Sequence, residues 1–497
     1  MRFSRVRRPA GVWLGAMIVA ALSGCMLGPD YRPPDIGTMN LPSEWTSTGT
    51  TGDQGDQLVG WWKQFDDGDM VDLIEAAERS SPTLAIALAR VKGAGAAVEQ
   101  KNSGLFPALN GQLAGSRSNF DEFVDESPSI SDVGQETRGE ANRTSYGLNA
   151  SWELDLFGAI RRGVQAGDAQ LASQQALFEE ARIVLAADVA KAYVDYRECE
   201  SMTVYLSQGL QTSKNIGHLV ALKAKSGFAA PLDAQFAAGN VASSREQLVT
   251  KHAQCSTVFD QIVYLTGFDR KRLQTLLTAG AGRVPTIDPT RAPVTVTAAL
   301  VAQRPDVRAA ERTLAATSAK IGVAIAQRFP SVSATGSLSQ TDYYALGQVL
   351  SLSPWTLGGS LVLPLFDAGA GAARVSAARA QYEEALATYT QQVRLATREI
   401  ENALALTQAS AQRVAAAQLA VANYTGYFRA SEMSHDAGAL SLIDLESARQ
   451  RLVGSQQDAI AAESGSAHAW ISLYAALGGG WPAPTSMQAQ TVGGGIR

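Results

Sequence analysis

The sequence predicts an α+β membrane protein in which one structural unit occurs twice, each copy supplying two β-strands and a pair of very long helices. Three observations lead to this fold class: an export signal at the start of the chain, landmark residues that recur at fixed offsets, and strand-like alternation beside proline-free stretches. The 497 residues are 46% hydrophobic and carry a formal net charge of -5. That balance indicates no nucleic-acid partner.

The first 24 residues have the layout of an export signal. Four arginines precede an apolar stretch over residues 11–21, which is too short to span a bilayer as a helix. The stretch ends in Leu-Ser-Gly-Cys and resembles a bacterial lipobox. We therefore expect a signal peptide over 1–24, with Cys25 as the first mature residue, carrying N-acyl and S-diacylglycerol lipid. Met26 after the cysteine favours the outer membrane, and an ordinary secretory signal with a chance cysteine is the alternative.

Proline, glycine and aspartate landmarks indicate an internal duplication. Two prolines that stand 25 residues apart recur after an offset of 223, as Pro82 and Pro107, then Pro305 and Pro330. Three further residues recur after an offset of 211: Gly227, Asp233 and Gly267 match Gly438, Asp444 and Gly478. A duplicated enzyme domain is the alternative, but neither copy shows the strand-helix alternation of such domains.

The landmarks also predict the domain boundaries. The first copy is expected at residues 61–267 and the second at 304–478. A lipidated segment over 25–60 precedes them, a linker region over 268–303 lies between them, and a tail over 479–497 follows.

Four segments alternate between apolar and polar residues, as β-strands with two different faces do. They are residues 105–116, 144–157, 329–341 and 355–365. We expect two hairpins, with an acidic loop over Asn119 to Asn142 and a shorter loop over Asp342 to Pro354.

A membrane barrel explains these strands better than the edge of a sandwich does. No later segment has the ~20 consecutive apolar residues of a membrane-spanning helix, so any spanning part is expected to consist of strands. Closed membrane barrels begin at about eight strands, and four strands from one chain cannot close. Two or three chains must therefore combine, and three would leave the wider lumen.

Two alanine-rich stretches without proline predict very long helices, at residues 157–226 and 370–437. At 1.5 Å per residue each run covers ~100 Å, which does not fit a small globule. We expect these helices to pack into a ring that continues the barrel. A solvated coiled coil is the alternative.

Glycines and cysteines predict how the first helix pair is built. Gly227 and Gly438 are expected at the turns, because glycine tolerates the left-handed conformation that ends a helix. Cys199 lies 28 residues before Gly227 and Cys255 lies 28 after it. An antiparallel pair that turns at Gly227 would place both cysteines at the same height. A disulfide is therefore predicted, with two buried thiols as the alternative.

Three separated stretches carry a family resemblance: "WWKQFDDGDMVDLIEAA" (61–77), "RPDVRAAERTLAATSAKIGVAIAQRFPSVSATGS" (304–337) and "GALSLIDLESARQRL" (438–452). They resemble TolC-type outer-membrane efflux proteins, specifically the lipoprotein branch that includes OprM and NodT. The resemblance implies a homotrimer with a twelve-stranded transmembrane β-barrel and a twelve-helix periplasmic α-barrel.

The implied function is the outer-membrane exit duct of a tripartite efflux pump. Such a duct exports small molecules from the periplasm and is joined to an inner-membrane transporter through a periplasmic adaptor protein. In this family the adaptor packs at the periplasmic helix ends, so the resemblance marks Gly227 and Gly438 as adaptor contacts.

The family's gate lies at the end of the second helix pair, and here the sequence departs from the usual pattern. Ser434 and His435 replace an Arg-Tyr pair before the glycine, and Ser447 stands where aspartate is common. We expect His435, Asp436 and Asp444 to supply substitute gate contacts. Solvated helix ends are the alternative for each.

Other functions remain as alternatives. A duct for type I protein secretion shares the predicted architecture. A periplasmic adaptor would carry one helical hairpin rather than two, and a lipid-anchored hydrolase would need a catalytic cluster. The four histidines stand singly, at positions 218, 252, 435 and 468, and the sequence shows no nucleophile, base or metal-ligand cluster. We therefore predict neither an enzyme nor a metal site, and no cofactor besides the lipid on Cys25.

Overall fold

The computed structural model describes residues 26–35, 60–122, 137–279, 283–287, 298–345 and 348–479. The expected signal peptide and Cys25 lie outside the described residues, as do most of the predicted acidic loop and nearly all of the tail.

Helices make up most of the described chain. A short 3-10 helix, Trp61–Phe65, precedes α1 (Gly68–Ser80), α2 (Pro82–Ser103), α3 (Ala159–Lys225), α4 (Pro231–Thr266), α5 (Arg270–Ala279), α6 (Ala298–Gln303), α7 (Pro305–Ala326), α8 (Ala370–Asp436) and α9 (Leu442–Ala476). None of the helices within the described ranges is long and apolar enough to cross a membrane.

The two long helices agree with their predicted positions. Both α3 and α8 contain 67 residues, which corresponds to ~100 Å of helix. Each begins after an aspartate that accepts hydrogen bonds from backbone N–H groups of the first turn. Asp155 accepts from Ile160 N at 3.0 Å, and Asp367 accepts from Gly371 N at 2.5 Å. The carboxylates thus satisfy donors that the helix itself leaves unpaired.

One antiparallel sheet contains all the described strands. These are β1 (Ala108–Glu122), β2 (Thr137–Leu154), β3 (Ser331–Ala345), β4 (Gln348–Leu352) and β5 (Trp355–Val362). The order is β1-β2-β3, and both β4 and β5 pair with β3. β2 and β3 come from different copies of the duplicated unit, so the two copies share one sheet.

The fourth predicted strand is divided in the structure. β4 and β5 keep one continuous register against β3, with Leu352 opposite Thr341 and Trp355 opposite Leu338. Pro354 lies between them and has no N–H to donate, although its carbonyl still accepts from Ser339 N at 3.1 Å. β4 and β5 are therefore one strand interrupted at a proline, in an edge position where proline is tolerated.

Both predicted loops were too long. β1 continues to Glu122 and β2 starts at Thr137, while residues 342–345 extend β3 and residues 348–352 form β4. The alternation of apolar and polar residues stops before the strands end. The strands continue because backbone hydrogen bonding does not require apolar side chains. Only the apolar part of each strand was visible from the pattern.

Strand register gathers the apolar side chains on one face of the sheet. Leu148 of β2 lies opposite Leu338 of β3, which in turn lies opposite Trp355 of β5. Residues directly opposite each other point to the same side. Hydroxyl groups share the other face, where Ser333 bonds Ser360 at 2.8 Å. The apolar side chains are exposed in the single chain, Trp355 at 73%.

The chain forms two compact units, each drawn from both copies. The first comprises 1–33, 91–173 and 310–388, and the second comprises 34–90, 174–309 and 389–497.

The first unit contains the sheet and holds residues 26–33 against its helices. Arg162 is buried and donates to Leu27 O at 3.1 Å and to Asp30 at 2.9 Å. Gly322 lies against the same segment, and a Cβ there would approach Leu27 O to 2.9 Å. The position therefore requires glycine.

The second unit contains most of the long helices and a larger buried core. Trp61 stacks on Tyr474 with ring centroids 5.3 Å apart, and both side chains are almost fully buried. Aromatic stacking of this kind adds about 0.5–1.5 kcal/mol beyond the burial of area. The stretch that begins the first copy is thereby packed against α9.

Candidate functional site at the helix-pair turns

Both long-helix pairs turn at the glycines that the sequence predicted. Gly227 and Gly438 each have φ 78°, a conformation that is costly for other residues. In both turns the next N–H reaches back five residues, from Phe228 to Lys223 O at 2.8 Å and from Ala439 to Ser434 O at 2.9 Å. This Schellman pattern satisfies carbonyls at the helix end. The contact of these turns with an adaptor remains a prediction.

The returning helices begin with different caps. Pro231 starts α4, where its missing N–H is no loss. Ser441 caps α9 by accepting from Asp444 N at 3.2 Å, and its hydroxyl donates to the Asp444 carboxylate at 2.5 Å. Asp444, one of the predicted gate residues, is thus part of the N-terminal cap of α9.

Three more of the predicted gate residues also make local contacts within this chain. Ser434 donates to Ala430 O and Ser447 donates to Ile443 O, each at 2.9 Å along its own helix. The His435 ring bonds Leu440 O through Nδ1 at 2.9 Å, which holds it against its own turn. Its expected pairing with an acidic side chain remains a prediction about contacts between neighbouring chains.

A cavity of about 560 Å³ lies where the two turns come together. α3, α4, α8 and α9 all contribute to its lining, including the predicted gate residues His435 and Asp436. Three phenylalanines provide much of the apolar wall: Phe228, Phe236 and Phe428. The structure therefore brings part of the predicted gate into contact with a space shared by both helix pairs.

A buried ion pair next to this cavity joins the two helix pairs. Arg449 and Glu446 of α9 are 7% and 5% exposed, and they bond at 2.7 Å. Arg449 also donates to Gly209 O at 2.7 Å and to the Ser213 hydroxyl at 2.6 Å, both on α3. Charges three residues apart on a helix usually indicate a solvated pair, so this link could not be expected from the spacing of the residues.

The two predicted disulfide cysteines meet in the structure. Cys199 and Cys255 are joined with Cα atoms 5.6 Å apart. Applying the duplication offset of 211 gives Ser410 and Ser466 in the second helix pair. Their hydroxyls are hydrogen-bonded at 3.2 Å. The same position therefore holds a disulfide in the first pair and a hydrogen bond in the second.

Buried arginine networks anchor the helix pairs farther from the turns. Arg197 of α3 is fully buried and donates to Asp69 at 2.8 Å, to Glu200 at 2.7 Å and to Leu277 O at 2.9 Å. Burial raises the pKa of Asp69 above its ordinary value, although the charge of Arg197 opposes this effect.

The second network has the opposite electrostatic outcome. Arg304 donates to Asp306 and Glu399, each at 2.7 Å, and to Ala476 O at 2.5 Å. Burial by itself would raise the pKa of Asp306, but the hydrogen bonds and charge of Arg304 outweigh it. The pKa of Asp306 is therefore lowered.

No group of three or more His, Cys, Asp or Glu residues placed to hold a metal ion occurs among the described residues.

Comparisons with known proteins identify one family. The sequence profile of the family described as "Outer membrane efflux protein" matches residues 73–267 and 297–479. Nodulation protein T of Rhizobium leguminosarum bv. trifolii is 29% identical over 483 residues, which cover 96% of this chain and 97% of that protein. The solvent efflux pump outer membrane protein SrpC of Pseudomonas putida is 29% identical over 475 residues, which cover 93% and 96%.

A solved structure extends the similarity to three dimensions. The outer-membrane channel OprN aligns with a TM-score of 0.79 and 28% identity, over 92% of this chain and 100% of that one.

Proposed function

Because the chain belongs to the outer membrane efflux protein family, we propose that it is the exit duct of a tripartite pump that exports small molecules from the periplasm to the exterior. It is an outer-membrane protein that extends into the periplasm, and its relatives are efflux channels rather than enzymes. The duct would receive its cargo through a periplasmic adaptor protein from an inner-membrane transporter.

The uniform apolar face of the sheet carries this proposal. Exposed leucines and aromatic residues on one face, with hydroxyls on the other, suit a barrel wall that has lipid outside and water inside. β1 leaves one unpaired edge, and the β4–β5 strand leaves the other. Three copies joined edge to edge would give twelve strands, and their four long helices each would give twelve helices. A homotrimer therefore closes both rings.

Small molecules are the favoured cargo. SrpC is named for a solvent efflux pump, and the lipobox-like signal fits the same branch. A duct for type I protein secretion remains the second candidate, since it would need the same barrel.

We propose that Cys25 carries lipid as an auxiliary anchor. The barrel would hold the protein in the membrane without it. Cys25→Ala behind a cleavable secretory signal is expected to give membrane-inserted trimers, and mass spectrometry should find the lipid only on the parent protein. Wholly soluble protein from this variant would argue against the barrel.

Gating is proposed to occur at the turns of the second helix pair. Ser434, His435, Asp436, Asp444 and Ser447 would meet neighbouring chains there, and the adaptor would contact the turns at Gly227 and Gly438. If His435 pairs with a neighbouring acid, its removal should destabilise the closed state. Conductance of purified trimers tests this, since an identical conductance for His435→Ala would exclude His435 from the gate.

Deletion of the gene tests the proposed function as a whole. Loss of the duct should increase susceptibility to small exported compounds, and the chain should restore resistance when it is supplied again. Purified protein should insert into lipid bilayers as a trimer with discrete conductance. A monomer without conductance would contradict the proposal, and an unchanged susceptibility with loss of a secreted protein would favour type I secretion.

A further inference from the structure

We propose that the cavity between the two turns is a binding site for an organic cation, an amidinium, guanidinium or ammonium group carried on an apolar body. The cavity volume of about 560 Å³ falls within the range of small-molecule sites, ~300–1,000 Å³. Its lining combines apolar walls with a few polar groups, as such sites do.

Charge selects a cation. Four carboxylates line the cavity, those of Asp233, Glu432, Asp436 and Glu446. Lys223 and the imidazole of His435 are the basic groups in the lining. The four carboxylates and Lys223 together give the lining three more negative charges than positive ones. An anionic ligand would be repelled there.

An unpaired carboxylate oxygen identifies where the cationic group would bind. Glu446 is 5% exposed, and its Oε2 atom is occupied by Arg449 at 2.7 Å. Its Oε1 atom is buried and has no hydrogen-bond partner among the described residues. A buried carboxylate oxygen without a partner is costly. A planar cation with N–H donors would supply the hydrogen bond that Oε1 lacks.

A second unpaired atom lines the same cavity. Asn240 Nδ2 is buried and also lacks a partner among the described residues. It is a donor, so it suits an acceptor elsewhere on the ligand rather than the cationic group itself. The two residues that carry these atoms line the cavity from different helix pairs, Glu446 from α9 and Asn240 from α4.

Aromatic walls account for the apolar body of the ligand. Phe228 is 86% exposed and Phe236 is 49% exposed, although both are large and apolar. With Phe428 they provide the ring surfaces that attract organic cations. Because the walls come from both helix pairs, a bound cation would stabilise the arrangement in which the two turns lie together.

Calorimetric titration of the purified full-length protein with benzamidine tests the site, since this probe is a planar cation on an aromatic ring. Benzamide, its neutral counterpart of the same shape, is the matched ligand control. We expect saturable binding of benzamidine and at least tenfold weaker binding of benzamide. Equal affinity for both ligands, or no saturable binding, would overturn the proposal.

Two variants locate the binding site. Glu446→Gln keeps a polar side chain beside Arg449 but removes the charge, and Asp436→Asn changes an exposed residue at the end of α8. Each should weaken benzamidine binding at least tenfold, whereas Asp458→Asn, on an exposed part of α9 outside this cavity, should not change it. If Glu446→Gln does not fold, Asp436→Asn decides the matter, and unchanged affinity in it refutes the site. Bilayer conductance tests the proposed exit duct separately, so a failure of the cation site can be distinguished from a failure of the proposed function.

Discussion

The two helix pairs share one design but are held together differently. In the first pair Cys199 and Cys255 are joined covalently, whereas the equivalent Ser410 and Ser466 share a hydrogen bond of 3.2 Å. A hydrogen bond contributes only about 0.5–1.5 kcal/mol to stability. Separating the two positions in the first pair therefore requires breaking a covalent bond, whereas the equivalent positions in the second pair are joined only by a weak non-covalent contact. The two helix pairs are thus two arms of the same design, one with a covalent link and one with a hydrogen bond at the same position.

A buried contact also links the two pairs to each other. The second pair is attached to the first through Arg449, which reaches Gly209 and Ser213 of α3. The second arm is thus tied to the first at a buried contact, and His468 of α9 also bonds Asp195 of α3 at 2.8 Å. These links allow the comparison to be tested one contact at a time.

Removing Arg449 should have the largest effect. Arg449→Ala leaves Glu446 buried without its partner, a situation that costs about 3–5 kcal/mol of unfolding free energy. We expect a lower thermal midpoint for the helical circular-dichroism signal and a larger bilayer conductance. Arg451→Ala, two residues along the same helix and exposed, is the control and should change neither. Equal effects of both variants would show that the buried link is unimportant.

Loss of the disulfide should come next. Replacing Cys199 and Cys255 by serine removes a link that contributes about 4 kcal/mol in the chain-entropy model. The thermal midpoint should fall, and mass spectrometry of a non-reduced digest should find the joined peptides only in the parent protein. Two free thiols in the parent would remove the disulfide from the comparison.

The reciprocal variant should make the arms alike. Ser410→Cys with Ser466→Cys places cysteines at the duplicated positions, so we expect a second disulfide and a conductance that no longer increases when Arg449→Ala is added. A conductance increase as large as that of Arg449→Ala alone would show that the second pair does not open by separating its helices.

Removing the Ser410 hydroxyl, with its bonds to Ser466 and to Thr407 O, should have a small effect. Ser410→Ala is expected to lower the unfolding free energy by about 1 kcal/mol, and Ser376→Ala, an exposed serine on the same helix, should lower it less. Comparing the thermal midpoints of the two variants measures how much the Ser410 hydroxyl contributes to stability. A midpoint shift for Ser410→Ala as large as that for disulfide loss would contradict the proposed contrast.

The pH dependence should differ in sign between the two arginine networks. Asp306 has a lowered pKa, so its stabilising contribution is present above its ordinary value of 3.8 and is lost as pH falls through the folded-state pKa. Asp69 has a raised pKa, so its contribution is present below 3.8 and is lost as pH rises through the folded-state pKa. Thermal midpoints measured from pH 3 to 7 test both directions. On acidification the midpoint of Asp306→Asn should fall less than that of the parent protein. Toward neutral pH the midpoint of Asp69→Asn should rise relative to that of the parent protein. The same slope change in both variants would contradict the two directions.

Much of this architecture could be predicted because it depends on local chemistry. The absence of proline in alanine-rich stretches predicted the ends of α3 and α8 to within two residues, and glycine marked both turns. The apolar alternation located each strand but not its ends, since hydrogen bonding between strands continues where the alternation stops. The split at Pro354 could not be anticipated without knowing that this strand lies at an edge.

The side-chain contacts between the long helices could not be predicted because they depend on tertiary packing. Glu446 and Arg449 form an ordinary charged pair by spacing, and only the close approach of α3 buries them. Nothing in the sequence indicates that Ser410 and Ser466 are in contact until the cysteines at the equivalent positions of the first helix pair are known to meet. The sequence did not indicate that the His435 ring would bond the carbonyl of Leu440 in its own turn, and its pairing with an acid of a neighbouring chain stays a prediction.

The pairing of β2 with β3 constrains how the chain can fold. Leu148 meets Leu338 only after the whole first helix pair and the connecting region have been synthesised and exported. Such contacts between distant parts of a sequence form slowly, because the intervening chain must be brought together first. The first hairpin of the sheet must therefore wait in the periplasm with its apolar face uncovered. In that interval a carrier that shields unfolded membrane proteins would decide between assembly and aggregation.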